Sequence, residues 1–355
     1  MDEKTTRYDL TEGSIFRKIL LYALPIFLGS IFQSLYTTAD AVILGRFGGK
    51  EALAAIESVF SLTRIPINLF LGVGIGASVI LAQAFGAKRE TEVSRTSHTA
   101  ILFSMIGGVI LAMIGSFVSP FAIRMIQVPA EIVAKAQAYL LIYYLGMAAA
   151  LVFNVGSGIF HALGNTHQPF VYLVTANITN VALDIVFVIF FRWGVIGAAI
   201  ATGLSQIVCA FLVIRALMKT DQPCRITLRK LRIDWRILKR ILVLGFPTGI
   251  QSAMYPFANA IVQTSINSFG VNAIAAWAVS GKLDFLIWSV SDAFGVTVST
   301  FVAQNTGGKK PERLKSSIRI GVILSLAIIC LISCVLFFWG ETLGSYLVQD
   351  VEVIA

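Results

Sequence analysis

Apolar windows of about 20 residues recur along this chain, and each is long enough to cross the hydrocarbon core of a bilayer as an α-helix. Of its 355 residues, 57% are hydrophobic and only 13% are charged, whereas soluble domains carry roughly 25% charged residues. The sequence has no nucleotide-binding glycine loop, metal-ligand spacing or nucleophile triad. It therefore predicts an all-α polytopic membrane protein, and we expect neither an enzyme nor a bound cofactor.

The Lys and Arg residues predict the orientation of the chain in the membrane. The net charge is +9, and the cations gather in three loops, at 87–95, 216–240 and 305–319. Under the positive-inside rule these loops and the amino terminus lie in the cytoplasm, with the spans in the cell (inner or plasma) membrane. This explanation is favoured over nucleic-acid binding, and stretch 225–240 also suits an amphipathic position on an anionic membrane surface. The nine predicted spans are 16–44, 52–86, 96–119, 136–156, 170–191, 195–217, 240–266, 274–303 and 318–340.

The two halves of the chain resemble each other. "ILAQAFGAKRETEV" (80–93) matches "FVAQNTGGKKPERL" (301–314), and Pro25 in "YALPIFLGS" corresponds to Pro247 in "LGFPTGIQS". Six spans separate equivalent positions, so both halves enter the membrane in the same orientation, an arrangement typical of transporters with a ligand site between the halves. The predicted divisions are a six-helix first lobe (1–217), a basic cytoplasmic linker (218–239) and the first three helices of a second, incomplete lobe (240–355).

Two apolar windows each contain an aspartate that ends a polar stripe. In both stripes the polar residues stand at i, i+3 and i+7, which places them on one face of a helix. The stripes are Gln33, Tyr36 and Asp40 in the first span, and Asn177, Asn180 and Asp184 in the fifth.

A charged carboxylate in the middle of a span costs on the order of 3 kcal/mol, so both aspartates are expected to face a bundle interior or a wet cavity. If the two stripes face each other, desolvation and mutual repulsion keep the carboxyls from ionising together. The pair is then a proton-binding device that holds its first proton near neutral pH. The alternative interpretation is a structural polar network that joins the helices.

Other polar residues at span depth are weaker candidates. Four of them either complete the wall of the pocket or make ordinary interhelical hydrogen bonds, namely Tyr139, Asn154, Thr202 and Gln206. Four ionisable groups also lie in apolar surroundings, namely Arg64, Lys282, Asp284 and Asp292. For these we favour structural ion pairs, in which Asp284 pairs with Lys282 or Arg64.

Four blocks of the sequence resemble the multidrug and toxic compound extrusion (MATE) family, and in particular its DinF-like branch. They are "ALPIFLGSIFQSLYTTADAVILGRFGG", "AQAFGAKRE", "GIFHALGNTHQPF" and "NITNVALDIVFVIFFRWGVIGAAIATGLSQ". The resemblance implies two six-helix lobes around a V-shaped central cleft, and a cation-coupled antiporter that exports lipophilic, often cationic compounds. It also implies proton-responsive aspartates at Asp40 and Asp184, polar neighbours at Tyr139, Asn180 and Thr202, and a first helix that bends at Pro25.

The chain departs from the family pattern in two respects. It is about three helices shorter than the family, and its seventh helix has no counterpart of the glutamate carried by sodium-coupled members. We therefore expect proton coupling, with sodium as the alternative because a deprotonated carboxylate pocket offers oxygen ligands. The residues expected to line the substrate cleft are Gln33, Tyr36, Asn154, Asn177 and Gln206.

The expected partners are small lipophilic or cationic substrates and membrane lipids, with no nucleic acid and no indication of an oligomeric state. The leading hypothesis is proton-driven export by alternating access. A flippase for lipids or polysaccharide precursors is the main alternative, and a receptor or scaffold is the alternative from another class.

Overall fold

Nine α-helices make up most of the computed structural model, which describes residues 9–267 and 271–345. No strand occurs within these ranges. The outer ends of the predicted lobes, 1–8 and 346–355, lie outside the described residues. The helices are α1 (Ile15–Ile43), α2 (Lys50–Gly86), α3 (Glu90–Met125), α4 (Ala130–Ala162), α5 (His167–Asp184), α6 (Gly194–Lys219), α7 (Trp235–Asn267), α8 (Val271–Gly307) and α9 (Pro311–Ser345).

The outer surface of the bundle is apolar. In the described part of the chain, eight helices are long and apolar enough to cross a membrane, and α7 is 33 residues long. Large hydrophobic side chains point outward, and Phe117 is 88% exposed. In water such a surface would be strongly unfavourable, whereas lipid solvates it. The prediction of an all-α polytopic membrane protein is confirmed.

Helix α1 packs against helices from both halves of the chain. Ile19 and Tyr22, near its first residue, are buried in one cluster with Phe294 and Phe301 of α8. Further along, α1 packs against α5. The helix therefore connects the first six helices to the last three.

Close backbone contacts hold α2 against α7. A methyl carbon added to Gly72 would lie 2.3 Å from the carbonyl oxygen of Gly245, and one added to Gly249 would lie 2.5 Å from that of Leu69. Contact this close is possible only because the glycines have no Cβ.

The two copies of the repeated Ala-Gln-x-x-Gly motif meet at the ends of α2 and α8. A methyl carbon on Gly86 would lie 1.9 Å from the carbonyl oxygen of Gln304, and one on Gly307 would lie 1.9 Å from that of Gln83. We call this reciprocal contact the glycine seam. It lies beside Lys88 and Lys309, and we call this side of the molecule the basic end.

Candidate functional site

Helices α1 and α5 bring the two intramembrane aspartates together. The carboxyl groups of Asp40 and Asp184 are close enough to hydrogen-bond when one of them carries a proton. Asp184 is fully buried and Asp40 is half-buried. In each residue Oδ1 is buried without a hydrogen-bond partner. Such unpaired buried oxygens are costly, which favours a site that binds and releases a proton.

Both aspartate-bearing helices change their winding close to the aspartate, about one turn after Asp40 and directly after Asp184. Helix α1 becomes π-helical at Leu44–Gly48, and α5 becomes π-helical at Ile185–Phe190. The two π-helical segments contact each other. π-Helical turns are rare and often accompany functional sites, because the wider turn displaces side chains from their α-helical positions. No pattern in the sequence predicts this feature.

The Asn180 amide joins Asp184 to α6. In the orientation that satisfies both neighbours, its Nδ2 donates to Asp184 Oδ2 at 3.1 Å and its Oδ1 accepts from the backbone N–H of Thr202 at 3.2 Å. Thr202 therefore contributes its backbone to this network. Nδ2 of Asn177, on the same helix, is buried without a partner.

Two tyrosines stand beside the carboxyl pair, and a third lies next to them. Tyr36 and Tyr139 lie within electrostatic range of Asp40. Tyr139 and Tyr143 stack with their ring centroids 5.7 Å apart, and Tyr143 lies within electrostatic range of both Tyr36 and Tyr139. Tyr143 was not among the predicted residues, although its position four residues after Tyr139 places it on the same helix face.

The remaining predicted residues are not brought to the carboxyl pair by any hydrogen bond in the described structure. Gln33 and Gln206 are half-buried. Nδ2 of Asn154 donates to the Ala150 carbonyl of its own helix at 2.9 Å, which is ordinary hydrogen bonding. Pro25 lies inside α1, which continues through it.

The expected ion pairs of the intramembrane cations are wrong for the described residues. No carboxylate lies within 4 Å of Arg64 or Lys282 in this part of the chain. The Arg64 guanidinium instead lies over the Phe60 ring, 4.8 Å from its centroid, where the ring face attracts a cation. Asp284 and Asp292 are exposed.

Among the described residues no group of three or more His, Cys, Asp or Glu could hold a metal ion.

A comparison with known families identifies the family to which the chain belongs. The MatE family model matches residues 25–186 and 247–355, which is more than half of the chain. The chain belongs to the MatE family, whose members are membrane transporters and include proteins named for multidrug resistance.

Individual relatives are similar over nearly the whole chain. The probable multidrug resistance protein YoeA of Bacillus subtilis (strain 168) is 27% identical over 351 residues, covering 97% of this chain and 76% of YoeA. A multidrug resistance MATE family transporter solved in an outward-facing conformation superposes with a TM-score of 0.90 at 23% identity, covering 98% of this chain and 77% of its own. A MATE structure in a bent conformation superposes with a TM-score of 0.88 at 23% identity, covering 100% and 79%.

Proposed function

We propose that the protein is a proton-driven antiporter that exports lipophilic or cationic small molecules by alternating access. The observation that carries this proposal is the Asp40–Asp184 pair. Two carboxylates this close in a low-dielectric interior cannot both ionise at low cost, so the pair takes up a proton or another cation. A cationic substrate and a proton would then compete for the same negative charge.

The coupling step is a population shift between two arrangements of α1. Protonation neutralises the pair and removes the charge that favours one arrangement over the other. Pro25 cannot donate a backbone hydrogen bond within the helix, so α1 bends more readily there than elsewhere. The bent conformation named for a structural relative supports a hinge of this kind.

The proposed orientation places the basic end in the cytoplasm. The positive-inside rule favours this assignment, because loop 220–234 and the residues around Lys88 and Lys309 are rich in cations. The glycine seam then closes the cytoplasmic side, and substrate leaves on the opposite side. The outward-facing conformation of a relative with the same fold supports this arrangement.

Asp184→Asn tests the role of the carboxyl pair. The amide is similar in shape and remains able to hydrogen-bond Asn180, but it cannot bind or release a proton. We expect normal insertion and a loss of export driven by a pH gradient, measured with a fluorescent lipophilic cation in inverted vesicles. Asp40→Asn should behave in the same way, and the double variant should be little worse than either, because the pair titrates as one unit.

The matched control is Asp221→Asn, which changes an exposed aspartate of the linker and should leave export intact. Full pH-driven export by the Asp184→Asn variant would show that Asp184 is a structural residue. Export by the unmodified protein under an imposed sodium gradient, with no pH gradient, would assign the coupling to sodium.

A further inference from the structure

The basic linker between α6 and α7 is docked at one level of α3. The backbone N–H of Thr227 donates to His98 Nε2 at 3.1 Å, and that of Asp234 donates to Thr99 Oγ1 at 3.1 Å. These acceptors stand about 12–14 Å along α3 from its first residue, Glu90. The sequence of α3 is largely polar up to Thr99 and apolar from Ala100 onward. The linker therefore lies where the hydrocarbon core of the membrane gives way to the headgroups.

Several contacts fix the linker in this position. Cys224 and Ile226 are buried in the main core cluster. His98 is itself held by Nδ1, which lies 2.7 Å from the Ser94 carbonyl oxygen. Asp234 forms an ion pair with Arg95, and its Oδ1 accepts from two backbone N–H groups in the first turn of α7. These contacts therefore fix the backbone that carries the exposed side chains of the linker.

The exposed side of the linker combines apolar and cationic side chains. Leu228 is 70% exposed and Trp235 is 75% exposed. In the described part of the chain, the cations between and beside them have no carboxylate within 4 Å. We call this set the linker face: Leu228, Arg229, Lys230, Arg232, Trp235 and Arg236.

We propose that the linker face binds anionic phospholipid headgroups of the adjacent leaflet, with Leu228 and Trp235 inserted at the boundary of the hydrocarbon core. Free cations at headgroup level attract anionic lipid. Tryptophan is enriched at this level because its ring is apolar while its N–H remains near water. A loop that merely follows the positive-inside rule needs charge but has no reason to expose these two apolar side chains. The proposal does not depend on proton coupling.

Native mass spectrometry of the detergent-solubilised protein tests the headgroup preference. Phosphatidylglycerol and phosphatidylcholine with the same acyl chains are added in equal amounts, and retained lipid is counted. We expect the protein to prefer phosphatidylglycerol. The triple variant Arg229→Gln, Lys230→Gln, Arg232→Gln should lower that preference at least tenfold, because each cation near an anionic surface contributes about fivefold.

The matched control removes three exposed arginines at the other end of the helices, Arg46→Gln, Arg124→Gln and Arg192→Gln. It should retain the preference. Equal losses in the two triple variants would overturn the proposal, because they would reflect net charge alone. Thermal melting of both variants checks that each is folded.

Lipids brominated near the headgroup test the insertion of Trp235. In nanodiscs that contain phosphatidylglycerol, they should quench tryptophan emission more in the unmodified protein than in the Trp235→Phe variant. Quenching that is identical in the two proteins would show that Trp235 stays outside the membrane, and would refute the proposal.

Discussion

Gly86→Ala should open the basic end of the protein. The added Cβ would lie 1.9 Å from the carbonyl oxygen of Gln304, whereas real Cβ contacts are essentially never shorter than 3.0 Å. The opposing atom belongs to a helix backbone, so α2 and α8 must separate by roughly 1 Å. Overpacking of this kind typically costs about 1–3 kcal/mol. A cost of about 2 kcal/mol lowers the population of the closed seam roughly thirtyfold relative to an open one.

The accessibility of a cysteine in the seam measures this shift. Ala303 is 2% exposed, so Ala303→Cys, in a background without the exposed Cys330 and Cys334, is a suitable reporter. Inverted vesicles present the proposed cytoplasmic side to a membrane-impermeant maleimide. We expect the Gly86→Ala variant to be labelled about ten to thirty times faster than its parent.

Gly203→Ala is the matched control, because a Cβ at Gly203 meets nothing within 4 Å and alanine favours helix over glycine by about 1 kcal/mol. It should leave the labelling rate unchanged and slightly raise the free energy of unfolding. The Gly307→Ala substitution should increase the labelling rate less in the Gly86→Ala background than in the unmodified protein, because a single separation of the helices relieves both contacts. Labelling of Gly86→Ala within twofold of the parent would refute the view that the seam is tightly closed.

Two further predictions concern the linker. A cysteine introduced by Lys230→Cys should react with an impermeant maleimide in inverted vesicles but not in intact cells, and labelling from outside would contradict the proposed orientation. Burial acts to raise the pKa of Asp234, but the hydrogen bond from the Ile237 backbone and the positive charge of Arg95 outweigh it, so the pKa is lowered overall. A carboxyl whose pKa is lowered by folding stabilises the protein at pH values above its unfolded-state pKa, and this stabilisation is lost as the pH falls through the acidic range. The Asp234→Asn variant should therefore lose less stability on acidification than the unmodified protein, measured by thermal melting from pH 6 to pH 3.

Hydropathy predicted the helices because their apolar residues must all be solvated by lipid or by each other. It placed their ends less well. The span predicted at 96–119 lies in α3 (Glu90–Met125), and that at 136–156 lies in α4 (Ala130–Ala162). The helices continue beyond the hydrocarbon core into polar surroundings, where hydropathy gives no signal.

Part of the candidate site could be found from spacing, and part could not. The i, i+3, i+7 stripes placed Asp40 and Asp184 on helix faces, but no pattern within one helix says which other helix it will meet. The repeat identified Gly86 and Gly307 as equivalent positions without indicating that they touch. The π-helical segments contact each other, and no pattern in the local sequence predicted them.

Pro25 lies between the part of α1 that is docked on α8 and the part that carries Asp40. Before Pro25, the hydroxyl of Tyr22 donates a hydrogen bond to the His161 carbonyl oxygen at 2.8 Å, and the same hydroxyl oxygen lies 3.1 Å from Thr300 Oγ1. Thr300 is one turn from Gln304, which belongs to the glycine seam and donates to the Ala162 carbonyl at 2.7 Å. On the other side, Asp40 is 15 residues from Pro25, or about 22 Å along the helix. In the proposed mechanism, a bend at Pro25 moves Asp40 relative to Asp184 on α5 while the Tyr22 end of α1 stays docked. In that proposal, protonation of the pair acts on the part of α1 beyond Pro25, and opening the seam requires a separate loss of contact between α2 and α8.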